Sequence, residues 1–199
     1  MAATTTRDRI VATVRSLIVQ RGPDEVSMRR VATAVGITPM AIYRYFDDRD
    51  AMLEQVADNA FVELDQRFTE KSAGAPADGR LRELLEIHVD FALDQPRLYD
   101  FMFTAQRQAA RRYPHDFRGG QSERFNPLAD TVADGIAQGV LDDGEVWEIS
   151  LLLAAFMHGL IRLYLGGRVD VPKAQFRALC MSMGERMIES LAPAAIRVK

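Results

Sequence analysis

The chain has 199 residues, 48% of them apolar, and a formal net charge of −3. That length and apolar content allow a sizeable core and exclude an intrinsically disordered chain. A single cysteine, Cys180, excludes an intrachain disulfide framework and fits a reducing compartment.

Apolar residues recur at helical spacing along the whole chain. No segment alternates apolar and polar residues and no Asn-Gly hairpin signal occurs, so the pattern predicts an all-α fold of about nine helices. Ile10, Val11, Val14, Leu17 and Ile18 form one stripe on a first helix, which Arg21-Gly22-Pro23 ends. Ser27 is placed to cap a short second helix carrying Met28, Val31, Ala32 and Val35, and Gly36 stops it. Thr38 caps a third, with Pro39 at the first helical position and Ile42 and Phe46 turned inward. Asp47 or Asp48 opens a long helix with Leu53, Val56, Ala57, Ala60, Phe61, Leu64 and Phe68 on one side. Residues 71–79, KSAGAPADG, read as a loop. Helices are then expected at 81–93, 96–111, 122–139, 143–165 and 172–191, with Asp142 and Glu145 as a capping box before the fourth of these.

Residues 27–46, SMRRVATAVGITPMAIYRYF, are the informative stretch. A short helix, a turn at Gly36 and a second short helix make a helix-turn-helix, with Val31, Val35, Ile37, Ile42 and Phe46 as its small core. Pro39, Met40, Tyr43 and Arg44 then share the outer face of the second helix, which a DNA major groove is wide enough to admit. Arg44 is suited to a guanine edge or a phosphate, Tyr43 and Tyr45 to phosphates through their hydroxyls, and Met40 to a thymine methyl. Ser27 and Arg30, where free backbone N–H groups gather, are suited to phosphate. Charge follows the same division: residues 1–50 hold eight arginines against six acids, the remainder 17 basic against 22 acidic residues.

The string VATAVGITPMAIYRYFDDRDAML, residues 31–53, resembles the TetR family of regulators. The resemblance lies in Val31-Ala32, Ala34 before Val35-Gly36, Ile42-Tyr43, Tyr45-Phe46, a charged turn, Arg49 and Met52-Leu53. It covers roughly residues 7–55. It implies a DNA-binding transcriptional repressor with Ser27, Thr38, Pro39, Met40, Tyr43, Tyr45 and Arg49 against DNA. It also implies a homodimer on a double-stranded, pseudo-palindromic operator, released by a small ligand; activation in place of repression stays open. Met28 departs from the family, which often has Thr there to reach a phosphate; Ser27 or Arg30 must supply that contact or it is absent. The division this implies is a DNA-binding domain at 1–50 and an effector-binding and dimerisation domain at 51–199.

Residues 147–165 are apolar nearly all round, which calls for burial on more than one face, and the last helix adds Phe176, Leu179, Cys180, Met183, Met187 and Leu191 at matching spacing. Trp147 with His158-Gly159 is similar to a TetR subgroup named after Trp-His-Gly. Phe91, Tyr99, Met102, Phe103, Phe125, Trp147, His158 and Arg162 are the candidates to line a pocket for a small apolar or aromatic effector. Taken one at a time, the same residues read first as plain core, and a pocket among them is what the family resemblance implies.

An enzyme and an all-helical protein-binding adaptor are the alternatives. His88, His115 and His158 lack metal-ligand spacing, one cysteine forms no thiolate cluster, and Gly119-Gly120 opens no phosphate loop, so no catalytic residue, metal or cofactor is expected. The outward Tyr43-Arg44 face and the basic first segment argue against the adaptor. The start of the chain has no signal-peptide core, and the longest apolar run, Leu151 to Met157, is far short of the roughly 18 residues that span a bilayer. A cytoplasmic protein without a membrane partner is therefore expected.

Overall fold

The computed structural model describes residues 5–104 and 127–193. Among the described residues the regular structure is entirely helical, as the periodicity predicts. The helices are α1 Thr6–Arg21, α2 Met28–Val35, α3 Pro39–Ile42, α4 Arg49–Ser72, α5 Ala77–Asp94, α6 Pro96–Thr104, α7 Pro127–Ala137, α8 Val146–Leu165 and α9 Lys173–Ser190, with one 3-10 turn at Pro23–Glu25. The chain divides into two compact units, Met1–Glu63 with Asp94–Ala110, and Leu64–Leu93 with Arg111–Lys199.

In the first unit α1 starts at a capping box. The Thr5 hydroxyl accepts from the Asp8 amide, and the Asp8 carboxylate accepts from the Thr5 amide at 2.9 Å. Ile10, Val14 and Ile18 are fully buried on one stripe, and α1 lies against α2 and α6. Arg97 of α6 donates to the Gln20 carbonyl at 2.7 Å, satisfying an end of α1 that has no intrahelical partner. Arg15 reaches Glu63 at 2.7 Å and Gln95 at 3.2 Å, so polar contacts tie α1 to the first part of α4 and to the entry of α6.

The second unit has a core of Leu81, Val132, Leu141 and Ile188, with Leu128, Ile136, Val146, Ile149, Leu153 and Leu191 packed around it. α8 lies against α7 and α9. α9 meets α5 at Gly184, where a Cβ would stand 2.0 Å from Leu85 Cδ2, so any larger residue would force the Leu85 side chain to move. Two arginines flank it. Arg177 holds Asp90 at 2.6 Å and also Glu86, and Arg82 holds Glu185 at 2.7 Å and Asp78 at 2.7 Å.

Two boundaries differ from the sequence reading. The expected loop at 71–79 is shorter, because α4 runs to Ser72 and α5 begins at Ala77. Ala77 is fully buried, and its burial draws the helix start four residues upstream of Leu81. The cap of α8 is Glu145, whose carboxylate accepts from the Glu148 amide at 3.0 Å, in place of the expected Asp142. The Asp142 amide instead donates to the Leu191 carbonyl at 2.7 Å. The expected helical stretches at 105–111 and 122–126 lie outside the described residues. By length and apolar composition α8 is able to cross a bilayer, although the apolar run within it is short.

Candidate nucleic-acid interface

The sequence of residues 27–46 builds a rigid corner step by step. Ser27 takes an extended conformation and its hydroxyl accepts from the Arg30 amide at 3.3 Å, starting α2. Gly36 ends α2 in the left-handed region at φ +79°, a conformation that costs glycine little. Its amide and that of Ile37 both donate to the Ala32 carbonyl, at 3.0 Å each. Two residues later the Thr38 hydroxyl accepts from the Ala41 amide at 3.2 Å, and Pro39 opens α3. α3 is a single α-helical turn, prolonged by tighter turns in which Tyr45 donates to the Ile42 carbonyl at 3.0 Å.

The core expected from the sequence is present. Val31, Ala32 and Ile42 are fully buried, Val35 and Phe46 nearly so, and Ile37 is half-buried. α1 braces this corner from behind: the Arg7 guanidinium stands 4.7 Å from the Phe46 ring centroid, and Arg9 donates to the Val35 carbonyl at the end of α2.

With Ile42 and Phe46 inward, the outer face follows from helical spacing. Pro39, Met40, Tyr43, Arg44 and Tyr45 are all exposed, Met40 at 78% and Tyr43 at 52%. The Arg44 and Arg29 guanidinium groups make no hydrogen bond or ion pair with the described residues. Ser27, Arg29, Arg30, Thr33 and Ala34 line an open concavity on the outer side of α2. Arg29 and Thr33 were not singled out from the sequence; their i, i+4 spacing to each other, on the polar side of α2 beside Ser27 and Arg30, was the available signal.

Two expected contacts carry other partners. Arg30 donates to the Glu25 carbonyl at 2.9 Å and pairs with the Glu25 carboxylate, whose pKa this hydrogen bond holds below the ordinary range. Arg49, placed against DNA by the family resemblance, donates from Nε to the Val26 carbonyl at 2.9 Å. Its Nη2 donates to the Pro23 carbonyl at 2.8 Å.

The eight candidate pocket residues fall in both units. Tyr99, Met102 and Phe103 belong to the first, where the Phe103 ring lies 4.7 Å from Tyr99 and 5.3 Å from Phe61. Phe91, Trp147, His158 and Arg162 belong to the second, and Phe125 lies outside the described residues. Tyr99 and Phe91 are buried, Trp147 and His158 half-buried, and Arg162 exposed. His158 of α8 meets a residue the sequence reading did not select, His88 of α5, with ring centroids 6.4 Å apart. His88 Nδ1 contacts the Leu84 carbonyl at 2.7 Å. Burial lowers both imidazole pKa values, His158 to about 4 with a further contribution from His88, so both rings are neutral near pH 7. No group of three metal-ligating side chains occurs among the described residues.

Comparison with known proteins agrees with this geometry. Residues 10–56 match the family model of bacterial regulatory proteins, tetR family, and residues 81–187 match a tetracyclin repressor-like C-terminal domain. The nucleoid occlusion factor SlmA of Pasteurella multocida (strain Pm70) is 29% identical over 80 residues, 40% of this chain and 40% of that protein. The match thus spans two fifths of that relative's length. Among solved structures, a protein of unknown function from Rhodococcus sp. RHA1 superposes with a TM-score of 0.77 at 23% identity, over 96% of this chain and 98% of that one. The transcriptional regulator FadR from Bacillus subtilis, in complex with stearoyl-CoA, superposes with a TM-score of 0.70 at 15% identity, over 90% and 96% of the two chains. A capped helix-turn-helix with an exposed outer face, in a chain whose two parts both match models of the family, makes this chain a transcriptional regulator of the TetR family.

Proposed function

We propose that the chain is a homodimeric repressor that holds a pseudo-palindromic operator through α3 of each subunit and releases it on binding a small apolar ligand. The observation that carries the reading is the exposed face of Pro39, Met40, Tyr43, Arg44 and Tyr45, presented by a capped turn over a buried core. Arg44 reads a guanine edge or takes a phosphate. Tyr43 and Tyr45 donate to phosphates, Met40 meets a thymine methyl, and Ser27, Arg30 and Thr38 anchor the backbone at the start of α2 and α3. Residues 1–50 form the DNA-binding part in this reading and 51–199 the effector and dimerisation part, in the cytoplasm, with no catalytic role.

The dimer rests on α8. Leu151, Leu152 and Leu163 are each about half exposed in the single chain, with Ala155 and Gly159 between them at four-residue spacing. A second copy covers this stripe and places two α3 helices about one DNA turn apart, roughly 34–36 Å. The effector candidates are Tyr99, Met102 and Phe103 in the first unit and Phe91, Trp147, His158 and Arg162 in the second. A bound acyl compound in the similar FadR structure supports an apolar effector. A ligand acts here only by favouring the conformer with the wrong α3 spacing.

The test is selection of duplexes by the full chain from a randomised pool, followed by footprinting and titration with stearoyl-CoA as first probe. A two-fold symmetric site with affinity of about 10⁻⁸ M or tighter, at stated salt, is expected. Enrichment of no duplex would end the reading.

A further inference from the structure

Arg49 stands at the first residue of α4, yet its guanidinium serves the segment ahead of α2. Nε donates to the Val26 carbonyl at 2.9 Å and Nη2 to the Pro23 carbonyl at 2.8 Å, while Nη1 meets Asp50 at 3.2 Å. Pro23 to Glu25 form the 3-10 turn, and the Pro23 carbonyl also accepts from the Val26 amide at 3.1 Å. Val26 is buried and immediately precedes Ser27, the cap of α2. From the other side, Arg30 of α2 donates to the Glu25 carbonyl at 2.9 Å and pairs with the Glu25 carboxylate. The carbonyls of Pro23, Glu25 and Val26 are thus all taken by two arginines, one from α4 and one from α2. At the opposite edge of the same corner, Asp48 caps α4 by accepting from the Ala51 amide at 2.7 Å.

We infer that Arg49 is a positioning residue, a clip that fixes the start of α4 to the entry of α2, and not a DNA contact of its own. The fork of a guanidinium suits this task, since two donors on one edge reach two carbonyls at once. A lysine carries the same charge but presents a single ammonium and cannot reproduce the paired geometry. Through the clip, the start of α4 sets where Ser27 and the α2 amides stand, and through the α2–α3 corner where α3 stands. The inference rests on the DNA-binding reading of α3 and divides the work within it: exposed residues touch DNA, and Arg49 holds them in register.

Salt dependence separates the two roles. Each lost phosphate contact lowers the slope of log affinity against log salt by about 0.9, whereas a positioning residue changes affinity without changing that slope. Wild type, Arg49→Gln and Arg49→Lys are compared on a duplex selected by the wild-type chain and on an unrelated duplex of equal length. Both variants are expected to bind the selected duplex on the order of tenfold more weakly, through the loss of charge-assisted hydrogen bonds. Their salt slopes and their affinity for the unrelated duplex should match wild type. A purely structural residue would instead lower the folded fraction and leave the specificity ratio of the folded protein unchanged, which overturns the inference. So does a lysine variant that binds like wild type while the glutamine variant loses about one unit of slope per protomer.

Where the variants do not fold, the wild-type protein still decides. The Arg49 Nε–H should be protected from exchange in the DNA-free protein and keep its chemical shift when the selected duplex is added. Rapid exchange without DNA, or a large shift on adding it, overturns the clip. If the wild-type chain selects no duplex, the DNA-binding reading fails by itself, and the exchange measurement on free protein still tests the contact.

Discussion

At the scale of single residues, the outer face of α3 was legible because it is local. Ile42 and Phe46 are apolar and must turn inward, so helical spacing puts Met40, Tyr43 and Arg44 outward, and they are exposed as expected. Tyr43→Ala should weaken binding to every duplex by a similar factor. Arg44→Ala should also relax base preference, by about 1–3 kcal/mol at one position if it reads guanine. Footprints of both variants at matched salt check this, and wild-type affinity in both would remove α3 as the reading face. That Arg49 reaches Pro23 and Val26 and that His88 meets His158 was hidden from the sequence, because these partners are 23 to 70 residues away and carry no motif. The histidine pair has a pH consequence. Both folded-state pKa values lie below the ordinary 6.5, His158 at about 4. Below about pH 6.5 the unfolded chain therefore binds more protons than the folded one, and stability falls as pH drops toward 4. The slope is at most ~1.4 kcal/mol per pH unit for each histidine. Urea unfolding at pH 7 and pH 5 should show this loss, and His158→Gln should shrink it; equal pH dependence in variant and wild type would contradict the assignment.

At the scale of elements, caps and breakers placed the helix ends wherever a side chain decides them. Gly22, Gly36, Thr38 and Asp48 act as their types lead one to expect. Where tertiary burial decides, as for Ala77 at the start of α5, or where two acids compete for one cap, as for Asp142 and Glu145, the sequence is a poorer guide. The α5–α9 contact belongs to the second kind, since nothing near Gly184 in the chain announces Leu85. Gly184→Ala should cost about 1–3 kcal/mol by overpacking. Combined with Leu85→Ala, which opens the space, the two losses should fall short of additivity by more than about 0.5 kcal/mol. A double-mutant cycle by urea unfolding measures this, and strict additivity would mean the helices do not meet there.

At the scale of the whole molecule, the all-round apolar character of α8 is the sequence signal with the widest reach. One side of the helix buries Ser150, Met157 and Ile161, while Leu151, Leu152 and Leu163 stay about half exposed, a patch that a stable monomer avoids. Light scattering at micromolar concentration should give about twice the 22.3 kDa chain mass. Leu152→Glu with Leu163→Glu should give single chains that keep their helical circular dichroism and bind the selected duplex far more weakly. Wild-type protein that scatters as single chains would remove the dimer and with it the two-helix reading of the operator.

The stripe on α8 also ties the protein to its own copy number. If a second chain is what covers Leu151, Leu152 and Leu163, then pairing and folding draw on one mass-action equilibrium. Near the dissociation constant, the abundance of the DNA-competent pair scales with the square of the free-chain concentration. A cell that halves its supply of this protein then loses more than half of its DNA-competent pairs, and the control it exerts has a threshold set by how well two leucine-faced helices fit together.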